Sequence, residues 1–193
     1  MNKSEYEAAW RHHRGPACSA PLLPRNITVL AKNGSVQAVE YGHGPLLVLI
    51  PSLGRPPSDF EPITTLLAPH FTTVSIFPRG IGGSNGSLTY TLHDIADDVA
   101  AVIRGVSARL NLAGKANVLG HDYGNRVARS VATDFPELVN STVLANCGGE
   151  VQPNASTLTA FRKVFNSSLP DSVRTAAIQR AFFANQTADV DAV

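Results

Sequence analysis

The most informative chemical feature of the chain is one acidic residue, Asp122, that stands between two glycines, Gly120 and Gly124. A short apolar stretch, 116–119, precedes it. Apolar residues at helical spacing follow it: Val127, Ala128, Val131, Ala132 and Phe135. This spacing predicts a strand, a sharp turn and then a buried helix. A carboxylate at such a turn can attack carbon directly, so we predict that Asp122 is a catalytic nucleophile.

The positions of the two glycines have a steric reason. A residue lifted by a sharp strand-to-helix turn has strained backbone geometry, which requires small residues two positions before and after it. This spacing is typical of a nucleophile elbow, usually G-x-S-x-G, and Asp122 fills the serine position. The amides and dipole of the following helix favour negative charge there. An ordinary G-x-D-x-G turn is the alternative interpretation.

Turn residues and hydrophobic periodicity predict the elements that position Asp122. Strands are predicted in six segments: 27–31, 36–41, 46–50, 71–77, 116–119 and 141–145. Helices are predicted in five segments: 59–67, from Thr91 to Val106, after Asp122, and two between 153 and 184. The first two strands form a hairpin around Asn33-Gly34. A hairpin followed by alternating strands and helices indicates an α/β fold with a mostly parallel, doubly wound sheet.

Composition and charge exclude several classes of partner. The 193 residues are 44% hydrophobic and 16% charged, with a formal net charge of +1. Such a chain can bury a core and lacks the basic surplus of nucleic-acid-binding proteins, so we predict no nucleic-acid partner. It has no apolar run of the ~18 residues that a membrane span needs, so we predict no membrane partner. The oligomeric state is left open.

Sequons of the form Asn-x-Ser/Thr are unusually frequent. Eight occur in the chain, where composition gives about two by chance. They begin at Asn2, Asn26, Asn33, Asn85, Asn140, Asn154, Asn166 and Asn185. This enrichment suggests a glycoprotein of the secretory pathway, although residues 1–24 lack the apolar segment of a signal peptide. The alternative is that Asn, Ser and Thr all accumulate in loops, so localisation stays open.

Four segments, in order, resemble the α/β-hydrolase superfamily. They are the strand and oxyanion loop at 46–60, the R-G-x-G-x-S loop at 79–84, the helix aspartates at 97–98, and the elbow at 120–124. An aspartate in the elbow is similar to the epoxide-hydrolase and haloalkane-dehalogenase branch, whose elbow often reads G-H-D-W-G.

The resemblance implies a reaction and its requirements. It implies hydrolysis of a small-molecule substrate through an alkyl-enzyme ester on Asp122, with no metal or organic cofactor. The family's tryptophan after the nucleophile holds halide in dehalogenases, and Tyr123 replaces it here. Epoxide chemistry is therefore favoured over dehalogenation. The alternative function is that of a non-catalytic α/β-hydrolase-like protein that binds a ligand or partner.

Further site residues are implied by the same resemblance. The backbone amides of Leu53 and Tyr123 form the expected oxyanion hole, although Pro51-Ser52 replaces the family's usual His-Gly pair. Glu150 is a candidate triad acid because it lies near the place where some members carry one. Arg126, four residues after the nucleophile, is a candidate ligand for a substrate carboxylate. A surface ion pair is the alternative role of Arg126.

The resemblance also divides the chain into three parts. We expect an N-terminal tail at 1–25, the N-terminal part of the α/β-hydrolase core at 26–149, and the start of a helical cap at 150–193. In the family, two more strands and the catalytic histidine follow the cap. We therefore expect the chain to be truncated within the cap, without its C-terminal strands. None of its six histidines stands where the family has its base.

Overall fold

The computed structural model describes residues 23–147, 154–164 and 166–182. The chain consists of two compact units, Met1–Cys147 and Gly148–Val193, and each is described by itself. Glu150, the candidate acid, lies outside the described residues, as do most of the predicted tail and the sequons at Asn2 and Asn185. The assignment of 1–25, 26–149 and 150–193 to tail, core and cap stays a prediction.

A seven-stranded sheet forms the centre of the first unit. Its strands are β1 (Arg25–Ala31), β2 (Gly34–Gly42), β3 (Leu46–Ile50), β4 (Thr72–Ile76), β5 (Asn85–Gly86), β6 (Ala116–His121) and β7 (Val139–Ala145). The order is β1-β2-β4-β3-β6-β7, and β5 pairs with β2. β4, β3, β6 and β7 are mutually parallel, whereas β2 pairs antiparallel with β1, β4 and β5. The predicted hairpin and the parallel sheet are confirmed.

Five α-helices occur in the described residues. They are α1 (Glu61–Leu67), α2 (Leu92–Leu110), α3 (Tyr123–Asp134), α4 (Ala155–Val164) and α5 (Asp171–Phe182). Two 3₁₀ turns, Pro57–Phe60 and Pro136–Leu138, precede α1 and β7. The helix predicted at 59–67 therefore begins as a 3₁₀ turn. No helix in the described segments is long and apolar enough to cross a membrane.

Helices cover both faces of the sheet, and the central strand β3 is apolar on both sides. In β3, Leu46, Val48 and Ile50 belong to the core that includes α2 and α3. Leu47 and Leu49 alternate with them and pack in a second core with Phe60, next to α1. Successive strand residues point to opposite faces, so a strand covered on both faces buries every position. β3 meets this with apolar residues alone, whereas β4 also buries Thr72 and Thr73, whose hydroxyls donate to backbone carbonyls. This packing is the doubly wound arrangement expected from the sequence.

Helix α2 begins where its capping residues predict. The Thr91 hydroxyl accepts a hydrogen bond from the Asp94 amide at 3.2 Å, and the Thr91 amide donates to the Asp94 carboxylate at 2.8 Å. Together these contacts form a capping box. The predicted apolar stripe of α2 is buried throughout and consists of Ile95, Val99, Val102, Ile103 and Val106. α2 therefore begins at a defined capping residue and buries one face in the core.

A buried ion pair fixes the loop after β4 to α2. Arg79 donates through Nε and Nη2 to the two oxygens of Asp98, at 2.6 and 3.0 Å. The side chains are only 3% and 7% exposed, and the hydrogen bond from Arg79 to Asp98 raises the pKa of the guanidinium. The short strand β5 within this loop was not predicted from the sequence. Its Asn85 side chain accepts a hydrogen bond from the Ser35 amide at 2.9 Å.

The second unit contains the helix pair α4 and α5. Arg180 of α5 donates to the Ser156 hydroxyl of α4 at 3.1 Å, and Arg174 donates to the carbonyl of Val164 at 3.4 Å. Buried Ala160 and Ala177 lie on the two helices. The prediction of two helices between 153 and 184 is confirmed.

Candidate active site

Asp122 lies at the turn between β6 and α3, in the parallel part of the sheet. Its φ is +49° and its ψ is −111°. Positive φ is uncommon for residues other than glycine and is a strained conformation unless the surroundings impose it. Two backbone hydrogen bonds constrain this turn: the Asp122 amide donates to the Ala145 carbonyl at 3.0 Å, and the Asn125 amide donates to the Asp122 carbonyl at 3.1 Å.

Both flanking glycines lie where a side chain does not fit. A Cβ on Gly120 would lie 2.6 Å from the Cα of Asn125, with the backbone of Gly124 nearer still. A Cβ on Gly124 would lie 2.7 Å from the carbonyl oxygen of Pro51, with the carbonyl oxygen of Ile50 nearer still. Since all these obstacles are backbone atoms, they cannot rotate away. The start of α3 therefore packs directly against the ends of β3 and β6.

The Asp122 carboxylate has a side-chain partner that sequence reasoning missed. The Ser52 hydroxyl donates a hydrogen bond of 2.6 Å to Oδ2 of Asp122. Ser52 is 9% exposed, and its own carbonyl accepts a hydrogen bond from the Arg55 amide at 3.1 Å. No local sequence signal indicates this contact, because it depends on which strands are neighbours in the sheet. β3 and β6 are parallel neighbours with Ile50 opposite Gly120, so Ser52 and Asp122, each two positions beyond this pair, meet at one edge of the sheet.

The two candidate oxyanion residues flank this contact in sequence. Leu53 follows Ser52, and its side chain is 49% exposed. Tyr123 is the first residue of α3. Its ring packs against the core, and burial raises the pKa of its phenol. The assignment of Leu53 and Tyr123 to an oxyanion hole depends on their backbone amides and stays a prediction.

Two more residues complete the surroundings of the turn. Arg126 is exposed on the first turn of α3, and its role in substrate binding stays a prediction. Cys147, two residues beyond β7, donates through its thiol to Oδ1 of Asn125 at 3.6 Å. Asn125 is 3% exposed. This cysteine contact beside the turn was not anticipated from the sequence.

His93 lies in an ion pair at the far end of α3 from Asp122. Its Nδ1 lies 2.6 Å from Oδ2 of Asp134, and this contact with the carboxylate raises the pKa of the imidazole. Asp134 is the last residue of α3, whereas Asp122 immediately precedes the first. A helix of this length separates the two sites by about 18 Å. His93 therefore contributes to the junction of α2 and α3 and does not act at Asp122.

Known proteins are similar to this chain in sequence and in fold. The 2-(acetamidomethylene)succinate hydrolase of Mesorhizobium japonicum is 35% identical over 105 residues, which cover 54% of this chain and 36% of that protein. The crystal structure of an E-2-(acetamidomethylene)succinate hydrolase has a TM-score of 0.64 and 25% identity, covering 84% of this chain and 59% of the other. The epoxide hydrolase CorEH has a TM-score of 0.61 and 22% identity, covering 82% and 56%.

The matches cover more of this chain than of its relatives. The chain spans between about a third and a half of the curated relatives that it matches. The sequence profile described as alpha/beta hydrolase fold matches residues 45–186, which is most of the chain. That range contains the turn at Asp122 and the partner residue Ser52. The chain therefore belongs to the alpha/beta hydrolase fold family.

Proposed function

We propose that the protein is a hydrolase of epoxide-hydrolase type in which Asp122 is the nucleophile. The observation that carries this proposal is the carboxylate itself. It lies on a strained turn at the end of a central parallel strand. The glycines on either side of it lie where backbone atoms leave no room for a side chain. Retaining an aspartate in such a conformation costs stability, and strain of this kind clusters at active sites.

The proposed first step is an alkylation of the enzyme. Oδ2 of Asp122 accepts the hydrogen bond from Ser52, so Oδ1 attacks a ring carbon of the epoxide. A bond forms between Oδ1 and that carbon as the ring carbon–oxygen bond breaks. The ring oxygen leaves as an alkoxide and takes a proton from solvent. The product is an ester between Asp122 and the opened substrate.

The aspartate favours epoxides over carboxylic esters and amides. A carboxylate that attacks a carbonyl group forms an anhydride, which is more reactive than the ester or amide it replaces. The same carboxylate forms a stable ester when it attacks an epoxide carbon. The curated relative is named for its hydrolysis of 2-(acetamidomethylene)succinate, whereas the CorEH structure is that of an epoxide hydrolase. The chemistry of the elbow residue supports the second class of substrate.

Mass spectrometry of the chain after exposure to styrene oxide tests this proposal. We expect one covalent adduct, mapping to Asp122 and lost in both Asp122→Ala and Asp122→Asn. The matched control is Asp171→Asn, because the Asp171 side chain is 94% exposed and has no part in the site. Labelling spread over several carboxylates, or an adduct that persists in Asp122→Asn, would contradict the proposal.

The alternative is a protein that binds a ligand without catalysis. It is supported by Pro51-Ser52 at the position of the family's usual His-Gly pair. It is also supported by the Ser52 hydroxyl, which already stabilises the carboxylate charge. Saturable binding of an epoxide or diol by folded protein, without any adduct at Asp122, would favour this alternative.

A further inference from the structure

The hydrogen bond from Ser52 to Asp122 makes the two carboxylate oxygens inequivalent. Ser52 Oγ lies 2.6 Å from Oδ2, a short contact typical of a hydroxyl that donates to an ionised carboxylate. The serine is 9% exposed, and the hydrogen bond from the Arg55 amide to its carbonyl fixes its backbone. The hydroxyl is thus a preorganised donor beside Oδ2.

We propose that Ser52 is a side-chain oxyanion donor that keeps Oδ2 as the carbonyl oxygen of the Asp122 ester. Oδ1 is then the attacking atom and the ester oxygen. This inference rests on the proposed function, because it requires an ester at Asp122. It adds to the two expected backbone amides a third donor, supplied by a side chain.

The donor acts unequally on the two halves of the reaction. During alkylation negative charge leaves the carboxylate, so the hydrogen bond from Ser52 weakens and gives the attack no assistance. During cleavage of the ester a nucleophile attacks Cγ, and the carbonyl bond opens to place negative charge on Oδ2. A donor beside that oxygen strengthens as the charge develops. The tetrahedral intermediate then collapses: the bond from Cγ to Oδ1 breaks, and the alcohol leaves with a proton from solvent.

Hydroxylamine isolates the second half of the reaction. Its nitrogen attacks Cγ of the ester, passes through the same oxyanion on Oδ2, and leaves a hydroxamate on Asp122 while the alcohol departs. Hydroxylamine needs no enzyme base to activate it, so this cleavage tests the donor separately from any water-activating residue. The adduct with styrene oxide provides the ester.

Three variants of the chain separate the donor from the fold. Ser52→Ala removes the hydroxyl, and Ser52→Thr restores it. The matched control is Ser58→Ala, because Ser58 is exposed in the 3₁₀ turn of the same loop. We expect Ser52→Ala to form the adduct no more slowly than wild type and to lose it to hydroxylamine about 10²-fold more slowly. Ser52→Thr and Ser58→Ala should match wild type in both rates.

Infrared spectra of the ester provide a readout that a purely structural role would not change. With ¹³C-labelled aspartate, the carbonyl stretch should move to higher frequency in Ser52→Ala, because the carbonyl loses a hydrogen bond. Ser52→Cys, a weaker donor of similar size, should lie between wild type and alanine, and it serves if alanine fails to fold.

The outcomes separate this inference from the proposed function. Equal hydroxylamine rates and equal carbonyl frequencies in wild type and Ser52→Ala would overturn the donor role, while the adduct at Asp122 would still support the proposed function. A folded Ser52→Ala variant that forms no adduct would also overturn it, because the serine would then be needed for the attack. Failure of folded wild type to form any adduct would overturn both.

Discussion

Replacing Gly124 by alanine tests the close contact between α3 and the end of β3. The added Cβ would lie 2.7 Å from the Pro51 carbonyl oxygen and 2.9 Å from the Ile50 carbonyl carbon. Ordinary contacts of a Cβ with such atoms begin at about 3.4 Å, so the helix must move away by at least roughly 0.7 Å. Ile50 is buried at the end of a fully buried strand, so we expect the helix, not the strand, to shift.

The shift has two consequences of predictable size. Overpacking of this kind costs about 1–3 kcal/mol, and we expect Gly124→Ala to fall at the upper end because backbone atoms block the Cβ. The hydrogen bond of 2.6 Å between Ser52 and Asp122 bridges the same two elements, so a shift of this size stretches it beyond ordinary length. Asp122 immediately precedes α3, so the shift also moves the attacking carboxylate. A misplacement of about 1 Å costs roughly 10²-fold in rate, and this displacement, not the stretched hydrogen bond, is the expected cause of slower adduct formation.

Urea denaturation and the rate of labelling by styrene oxide measure these two effects. Gly114→Ala is the matched control because Gly114 also lies in a turn next to β6 and has a φ of +76°. A Cβ there would meet no atom within 4 Å outside the adjacent residues. It should lose about 1–2 kcal/mol from backbone strain alone and retain the labelling rate. A Gly124→Ala variant as stable and as reactive as wild type would refute the steric explanation of the motif.

Two further perturbations test contacts outside the turn. Asp98→Asn removes one partner of the buried ion pair with Arg79 and should lower the free energy of unfolding by about 3–5 kcal/mol. The control, Asp97→Asn, affects a more exposed pair and should lower it by less than about 1 kcal/mol. Equal losses in the two variants would contradict the role of burial. The raised pKa of His93 beside Asp134 should stabilise the fold fully below about pH 6.5 and lose this contribution as the pH rises through the raised value. His93→Gln should remove that pH dependence from urea denaturation curves, and an unchanged profile would refute the assignment.

Periodicity allowed most of the fold to be predicted because its signals are local. The wholly apolar run Leu46–Ile50 is a strand buried on both faces, and the stripe from Ile95 to Val106 defines the buried face of α2. The short strand β5 escaped prediction for the opposite reason. Its two residues are too few to show a period, and their pairing with Gly34 and Ser35 of β2 depends on a contact about fifty residues away.

The same distinction applies to the candidate site. The turn at Asp122 could be predicted because its glycines and following helix lie within a few residues of it. Ser52 could not be recognised as its partner from local spacing, because seventy positions separate the two residues and only the pairing of β3 with β6 brings them together. A motif therefore predicted the candidate nucleophile, and tertiary structure showed the hydrogen-bond donor to its carboxylate.

Several asparagines of the sequons form hydrogen bonds within loops, besides being candidate glycosylation sites. The six that lie in the described segments are all exposed. Among them, Asn85, Asn154 and Asn166 accept hydrogen bonds through Oδ1 from backbone amides, which is an ordinary role of asparagine in loops. A glycan attaches to the side-chain nitrogen and leaves Oδ1 available. The geometry is thus compatible with both interpretations, and glycosylation stays a prediction.

Contacts within the first unit hold Asp122 in its strained conformation. β7 accepts the amide of Asp122, β3 blocks any side chain at Gly124, and Ser52 binds the carboxylate. All three contacts come from residues of Met1–Cys147. Alkylation requires only this geometry, whereas release of the ester also requires a base. The two half-reactions of the proposed mechanism are therefore experimentally separable, and an adduct that forms rapidly but persists would place the slow step in water activation rather than in the attack by Asp122.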